Sequence, residues 1–239
     1  MRGFLFWIVT FLLVGGGPAG AATTNQSYLY QEKSGADVKE FRWNLSSSAQ
    51  EELVTVFEEG ATLVSHCDPG GQTRAWHFQQ GAQTDIQARR EGNLLKLTGT
   101  LRGERVERTE LLDDRPWYQP LSFSLRGFLH SADGKRSFWM IRSDNLELVT
   151  IQAEKLGVEE VLVSGRKVQA TKVEIRREGL FASLWHGDYW FRTGDNLFVR
   201  YQGVHGPPGT PETLVQLSGE VRDAENTNIP SCFPSSGHL

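Results

Sequence analysis

Cysteine is nearly absent from this 239-residue chain, which has two, Cys67 and Cys232. They form no Cys-x-x-Cys pair or other cluster, so neither thiol is expected to ligate a metal or act as a nucleophile. An excess of positive charge is also lacking. Twenty-five Lys and Arg against 29 Asp and Glu leave a formal net charge of −4, with the cations scattered along the chain. That is not the basic stripe of a nucleic-acid binder, nor does it attract an anionic membrane surface. Long apolar runs are missing as well. The run Phe4–Val14 is well short of the roughly 20 residues that cross a bilayer, so an integral membrane protein is not expected. Enzyme signatures are missing too: no Gly-x-Ser-x-Gly elbow, no His-Glu-x-x-His, no phosphate loop and no dinucleotide fingerprint. No cofactor is expected, and the reading leans away from an enzyme.

What is present begins with a leader. A short basic start (Met1-Arg2-Gly3) precedes the apolar run, a Gly15-Gly16-Gly17-Pro18 breaker and the small residues Ala19-Gly20-Ala21-Ala22. That order predicts a secretory signal peptide over residues 1–21 and an exported protein, with the periplasm its expected compartment. No Cys follows the apolar run, so a lipid-anchored form is not expected. Export permits a disulfide between Cys67 and Cys232, although the Pro- and Ser-rich surroundings of Cys232 give no geometric guarantee of one. Residues 22–222 are expected to form a single antiparallel β domain, and residues 223–239 an irregular tail rich in Asn, Pro, Ser and Gly.

From Tyr28 onward, short β-branched or aromatic runs alternate with turn signals. Tyr28–Tyr30 and Val38–Leu45 flank Ser34-Gly35, and Leu53–Phe57 and Ala61–Ser65 flank Glu58-Glu59-Gly60. Further turns fall at Asp68-Pro69-Gly70-Gly71, Gly81, Glu91-Gly92-Asn93 and Arg102-Gly103. Spacing of this kind predicts a curved meander, either a half-barrel or a partly closed barrel. After Asp133-Gly134 the theme resumes with Arg136–Ile141, Leu146–Ala153, Val158–Val163 and Lys167–Arg176. One helix interrupts it. Leu121, Leu125, Phe128 and Leu129 recur at helical spacing behind Pro120, whose missing N–H costs nothing in a first turn. This helix is expected to lie against the sheet as a plug or lid.

The densest aromatic stretch runs from Leu184 to Leu217. Trp185–Arg192 and Leu197–Gln202 read as a hairpin around Thr193-Gly194-Asp195-Asn196. Trp185, Tyr189 and Phe191 share one face of the first strand; His186, Asp188, Trp190 and Arg192 share the other. A strand apolar on both sides is expected to be covered on both sides. A two-residue turn at Gly194-Asp195 places Arg200 opposite Tyr189, and one more turn residue flips it. The Gly203–Pro211 stretch mimics a collagen triplet but lacks the long repeat, and reads as a stiff loop. His66 and His77 are expected on one face without the further ligands a metal site needs. Adjacent acidic pairs (Glu58-Glu59, Asp113-Asp114, Glu159-Glu160) point to opposite faces if extended and do not make acid–base partners.

Three pieces together carry a family resemblance. They are the Val161–Ile175 hairpin, the Trp185–Arg192 strand with its Gly194-Asp195-Asn196-Leu197 turn, and the closing Pro208–Thr213. Behind a leader, they resemble DUF3108, an exported bacterial β-protein family of unknown function; more distantly, the chain resembles the half-barrel carriers of lipoproteins and lipids. The resemblance implies a cell-envelope location and a curved antiparallel sheet, and it supplies no catalytic residues.

The leading expectation is therefore a non-enzymatic envelope protein that binds a lipid-like ligand, or the apolar segment of a protein partner, in a β groove. Its expected lining is Trp185, Tyr189, Trp190, Phe191, Arg192, Phe198, Arg200 and Tyr201. Two other readings stay open. One is a glycan-binding or glycan-active protein with Trp185, Trp190, Asp188 and Arg192 around a sugar. The packing alternative to that arrangement has Asp188 and Arg192 paired across the sheet and Trp190 filling the core. The other reading is an assembly subunit without a small ligand.

Overall fold

Turn residues and period-two alternation fold this chain into one long meander. The computed structural model describes residues 23–179, 186–204 and 210–221. The first eight strands are β1 (Thr24–Ser34), β2 (Asp37–Ser47), β3 (Glu52–Glu58), β4 (Ala61–Cys67), β5 (Thr73–Gln80), β6 (Thr84–Glu91), β7 (Leu94–Leu101) and β8 (Glu104–Leu111). A helix, α1 (Leu121–His130), follows. The remaining strands are β9 (Lys135–Ile141), β10 (Leu148–Val163), β11 (Arg166–Arg177), β12 (His186–Arg192), β13 (Phe198–Val204) and β14 (Glu212–Val221). The leader, Trp185, most of the Gly203–Pro211 loop, Cys232 and the tail lie outside the described residues.

All the strands belong to one antiparallel sheet in the order β8-β7-β6-β5-β4-β3-β2-β1-β14-β13-β12-β11-β10-β9. Every neighbour in that order is adjacent in sequence except β1 and β14, which pair from Ser27–Val221 to Ser34–Thr213. The sheet is therefore mainly β, curved and unclosed, with β8 and β9 as its edges. The segment before the helix ties the two wings. The N–H of Thr73 donates to the Trp117 carbonyl at 2.8 Å, and that of Tyr118 to the Trp139 carbonyl at 2.9 Å.

The buried apolar residues form two clusters. The larger joins Tyr30, Trp43, Val54, Phe138, Ile151, Phe191 and Tyr201 to Leu121, Phe123, Leu125 and Phe128 of the helix. The smaller gathers Trp76, Phe78, Ile86, Leu95, Leu97 and Trp117 toward the β5–β8 wing. Fully burying side chains of this size contributes about 1.5–3 kcal/mol each, which holds α1 against the sheet. Its last turn is finished by Lys155, whose ammonium donates to the carbonyls of Leu129 (3.3 Å) and Ser131 (2.6 Å). Cations are favoured at that end of a helix. Arg126 donates to the Asn196 carbonyl at 2.9 Å and so ties the helix to the β12–β13 turn.

One sequence expectation needs correction. Leu146–Ala153 and Val158–Val163 do not form separate strands; residues 148–163 make the single strand β10. Its register against β11 shifts between Lys155 and Gly157, where Gly157 takes φ +114°. A bulge absorbs the extra residue by bending the strand, so the glycine marks a kink and not a turn. The bent hairpin reaches back toward the middle of the sheet. Ser164 Oγ donates to the Leu217 carbonyl at 2.6 Å, and Gln216 Nε2 to the Leu162 carbonyl at 3.2 Å.

Candidate functional site

Alternation along each strand places Tyr30 and Glu32 of β1, Phe41 and Trp43 of β2, Val56 and Glu58 of β3, and Leu63 and Ser65 of β4 on the concave face. Together with Trp76, Met140, the start of α1, the β12 and β13 rings and Val215 of β14, most of these residues line a cleft of about 280 Å³. Its walls are chiefly apolar: Phe41, Trp43, Val56, Leu63, Trp76, Leu121, Met140, Tyr189, Phe198, Tyr201 and Val215. Glu32, Glu58, Ser65, Gln119, Pro120 and Ser122 complete the lining.

The walls are held rigidly. Tyr30 stacks on Phe41 and on Phe198, each at 5.3 Å between centroids, and its hydroxyl donates to the Phe198 carbonyl at 2.7 Å. Tyr189 meets Tyr201 edge-on at 4.9 Å and Phe198 at 5.7 Å. Trp43 Nε1 donates to Ser122 Oγ at 3.1 Å, which fixes that indole to the helix. The Tyr201 ring lies over two glycines that face each other across β12 and β13, Gly187 and Gly203. A Cβ on Gly187 would come within 2.8 Å of that ring, and one on Gly203 within 2.9 Å of its Cζ. Burial raises the Tyr189 phenol, with Tyr201 adding to the effect. Burial also raises the Tyr201 phenol, and Asp188, Glu32 and Glu212 push it further the same way. Glu58 is raised by burial first and by Glu32 second, with Lys39 acting in the opposite sense.

The structure divides the residues predicted for the site. Tyr189, Phe198 and Tyr201 stand on the cleft wall. Phe191 packs against Tyr189 and Phe198 with no exposed surface. Trp190 and Arg200 face the other side of the sheet. Lys172 and Arg200 are the register partners of Trp190 on its two neighbouring strands. Their charged groups lie 5.1 and 5.0 Å from its ring centre. The indole N–H donates to Glu159 Oε1 at 2.6 Å. At 5% exposure, Trp190 presents no free face for a sugar to stack on. Asp188 and Arg192 do pair across the sheet, Asp188 with Lys172 at 2.8 Å and Arg192 with Glu220 at 2.7 Å. Arg192 also holds Asp195 at 2.6 Å. A register shift between Trp190 and Phe191 sets Tyr201, and not Arg200, opposite Tyr189.

Sequence reasoning missed the other half of the cleft: Glu32, Phe41, Trp43, Val56, Glu58, Leu63, Trp76 and Met140. Period-two alternation alone identifies most of them as one face, but the sequence has no local sign that β1 to β5 meet β12 to β14.

His66 Nδ1 lies 2.6 Å from Glu51, and His77 Nε2 2.8 Å from Asp85. Among the described residues no three His, Cys, Asp or Glu gather as a metal site. Cys67 is buried 3.9 Å from Thr73 Oγ1, and burial pushes its thiol up to about 12. A larger hollow, about 490 Å³, opens over β7 and β8, but Thr98, Gly99, Thr100, Gly103, Arg105, Val106 and Glu107 give it no aromatic wall. Among the described residues no helix is long and apolar enough to cross a membrane.

Fold and cleft together define a class, an open curved antiparallel sheet around an apolar hollow with one helix laid into it. In fold the chain is similar to a β-barrel-like protein of the domain of unknown function DUF1849 from Brucella abortus. That likeness has a TM-score of 0.56 at 10% identity, over 82% of this chain and 96% of that one. Weaker likenesses are to the hypothetical lipoprotein YmcC of Escherichia coli (TM-score 0.39, 13% identity, 84% of this chain and 86% of that one) and to a DUF1329 family protein of Desulfovibrio piger (0.29, 10%, 87% and 89%). No family model matches the chain, DUF3108 included, and no curated protein matches its sequence. At such identities the DUF1849 likeness shows the fold alone.

Proposed function

We propose that this is an exported cell-envelope protein that holds a lipid-like molecule, without catalysis, in the cleft between its sheet and α1. The observation that carries the reading is the cleft itself, a 280 Å³ hollow walled by rings from both halves of the chain. A concave, mostly apolar site with few polar groups is the usual form of a small-molecule pocket. The leader pattern of residues 1–21 supports export to the periplasm. Burial of Trp190 removes the aromatic platform that a glycan reading needs.

The test is chemical. Protein purified from its native compartment is extracted with organic solvent and the extract analysed by mass spectrometry. In parallel, refolded protein freed of ligand is titrated with decyl maltoside below its micellar concentration. An amphiphile in the extract and saturable binding in the titration are expected. Absence of both overturns the reading, and co-purification of a stoichiometric protein instead points to an apolar partner segment.

A further inference from the structure

The charged side chains that line the cleft are both acids. Glu32 and Glu58 belong to its lining, and among the described residues neither carboxylate is engaged in an ion pair. Lys39, opposite Glu32 on β2, is the cation that acts on Glu58, and it is exposed. Inside, Trp76 lies on the wall fully buried, and its Nε1 has no acceptor among the described residues. A buried donor without an acceptor is uncommon in a finished core, and here it borders a space that a ligand would fill.

Resting on the function proposed above, we infer that the cleft selects amphiphiles with a cationic head group, the apolar tail lying along the partly exposed Phe41, Leu63, Met140 and Tyr189 and the head between Glu32 and Glu58. An anionic head would face the two carboxylates at close range and lose affinity through like-charge repulsion. A cation desolvated beside them gains charge-assisted contacts that a neutral head cannot make. The charged groups facing Glu58 are Glu32 and Lys39. Glu32 reinforces the preference, and Lys39 moderates it without reversing it.

Three probes with the same tail separate this inference from the reading beneath it: decyltrimethylammonium, decyl maltoside and decanoate, titrated calorimetrically below their micellar concentrations at neutral pH. The cation is expected to bind about tenfold tighter than decanoate, with decyl maltoside between them. In a Glu32→Gln/Glu58→Gln variant the difference between the cation and decanoate should collapse to about twofold or less. Should that variant fail to fold, raised salt applied to the natural protein should shrink the same gap. Equal or tighter binding of decanoate overturns the charge preference and leaves the groove standing. If none of the three binds, the groove reading falls and this inference falls with it.

Discussion

Gly127 of the helix stands so close to Gly70 of the β4–β5 turn that a Cβ on Gly127 would overlap the Gly70 carbonyl oxygen and lie 2.9 Å from its carbon. Gly71 repeats the approach from the other side, since a Cβ there would lie 3.0 Å from the Ser124 Cα. The helix is thus seated directly on turn backbone. A mid-helix glycine normally costs about 1 kcal/mol against alanine, so propensity alone makes Gly127→Ala stabilising. The overlap works the other way, and overpacking of this kind costs about 1–3 kcal/mol. Urea denaturation of Gly127→Ala should therefore show a net loss of stability. A gain would show that α1 does not rest on this turn.

Tyr201 and Gly187 supply a second packing test. Gly187→Ala should destabilise by about 1–3 kcal/mol, because the added methyl meets the Tyr201 ring. In combination with Tyr201→Ala the penalties should not add, and a coupling energy of about 0.5–3 kcal/mol should appear in the double-mutant cycle. Strict additivity would separate the two residues.

Cleft volume should govern binding. Leu63 is partly buried on the cleft wall, so Leu63→Trp extends a ring into space now open. Decyl maltoside affinity is expected to fall about tenfold or more, while the melting temperature stays within about 2–4 °C of the natural protein. Unchanged affinity in a folded variant would place the binding site elsewhere.

Acid sensitivity has an identifiable contributor. The Arg115 guanidinium, and after it the Trp139 indole N–H, hold the Asp113 carboxyl well below the usual carboxylate range. A carboxyl depressed in the folded state contributes stability that is present above its unfolded pKa and is lost as pH falls through the folded one. Asp113→Asn should therefore flatten the low-pH side of the stability profile and leave the neutral-to-alkaline side parallel to that of the natural protein. Chemical denaturation at a series of pH values from neutral downward measures this. An unchanged acid limb would show that the Asp113 contacts do not persist in solution.

Much of the architecture was legible in the chain. The Gly-centred turns marked most hairpins, and Pro120 with Leu121, Leu125 and Phe128 gave the helix. Gly127 argued against that helix locally because the constraint that requires it, the backbone of Gly70, lies in a distant turn. The cleft was legible by half. Tyr189, Phe198 and Tyr201 stood out through aromatic density, whereas Phe41, Trp43 and Leu63 reach the site only through the β1–β14 ladder, which has no local signal. Arg200 was unassignable because one bulged residue reverses every side chain beyond it, and the choice for Trp190 between ring platform and core packing depends on its two cationic strand neighbours, which have no local signal.

The seam between β1 and β14 also governs when the molecule can mature. β1 emerges first from the ribosome, yet the ladder on one of its sides waits for a partner made almost two hundred residues later. Until then the nascent polypeptide exposes an unsatisfied strand edge and rings that later face the cleft, a combination that invites aggregation. Slow maturation, limited by a late encounter between distant segments, follows from strand order alone.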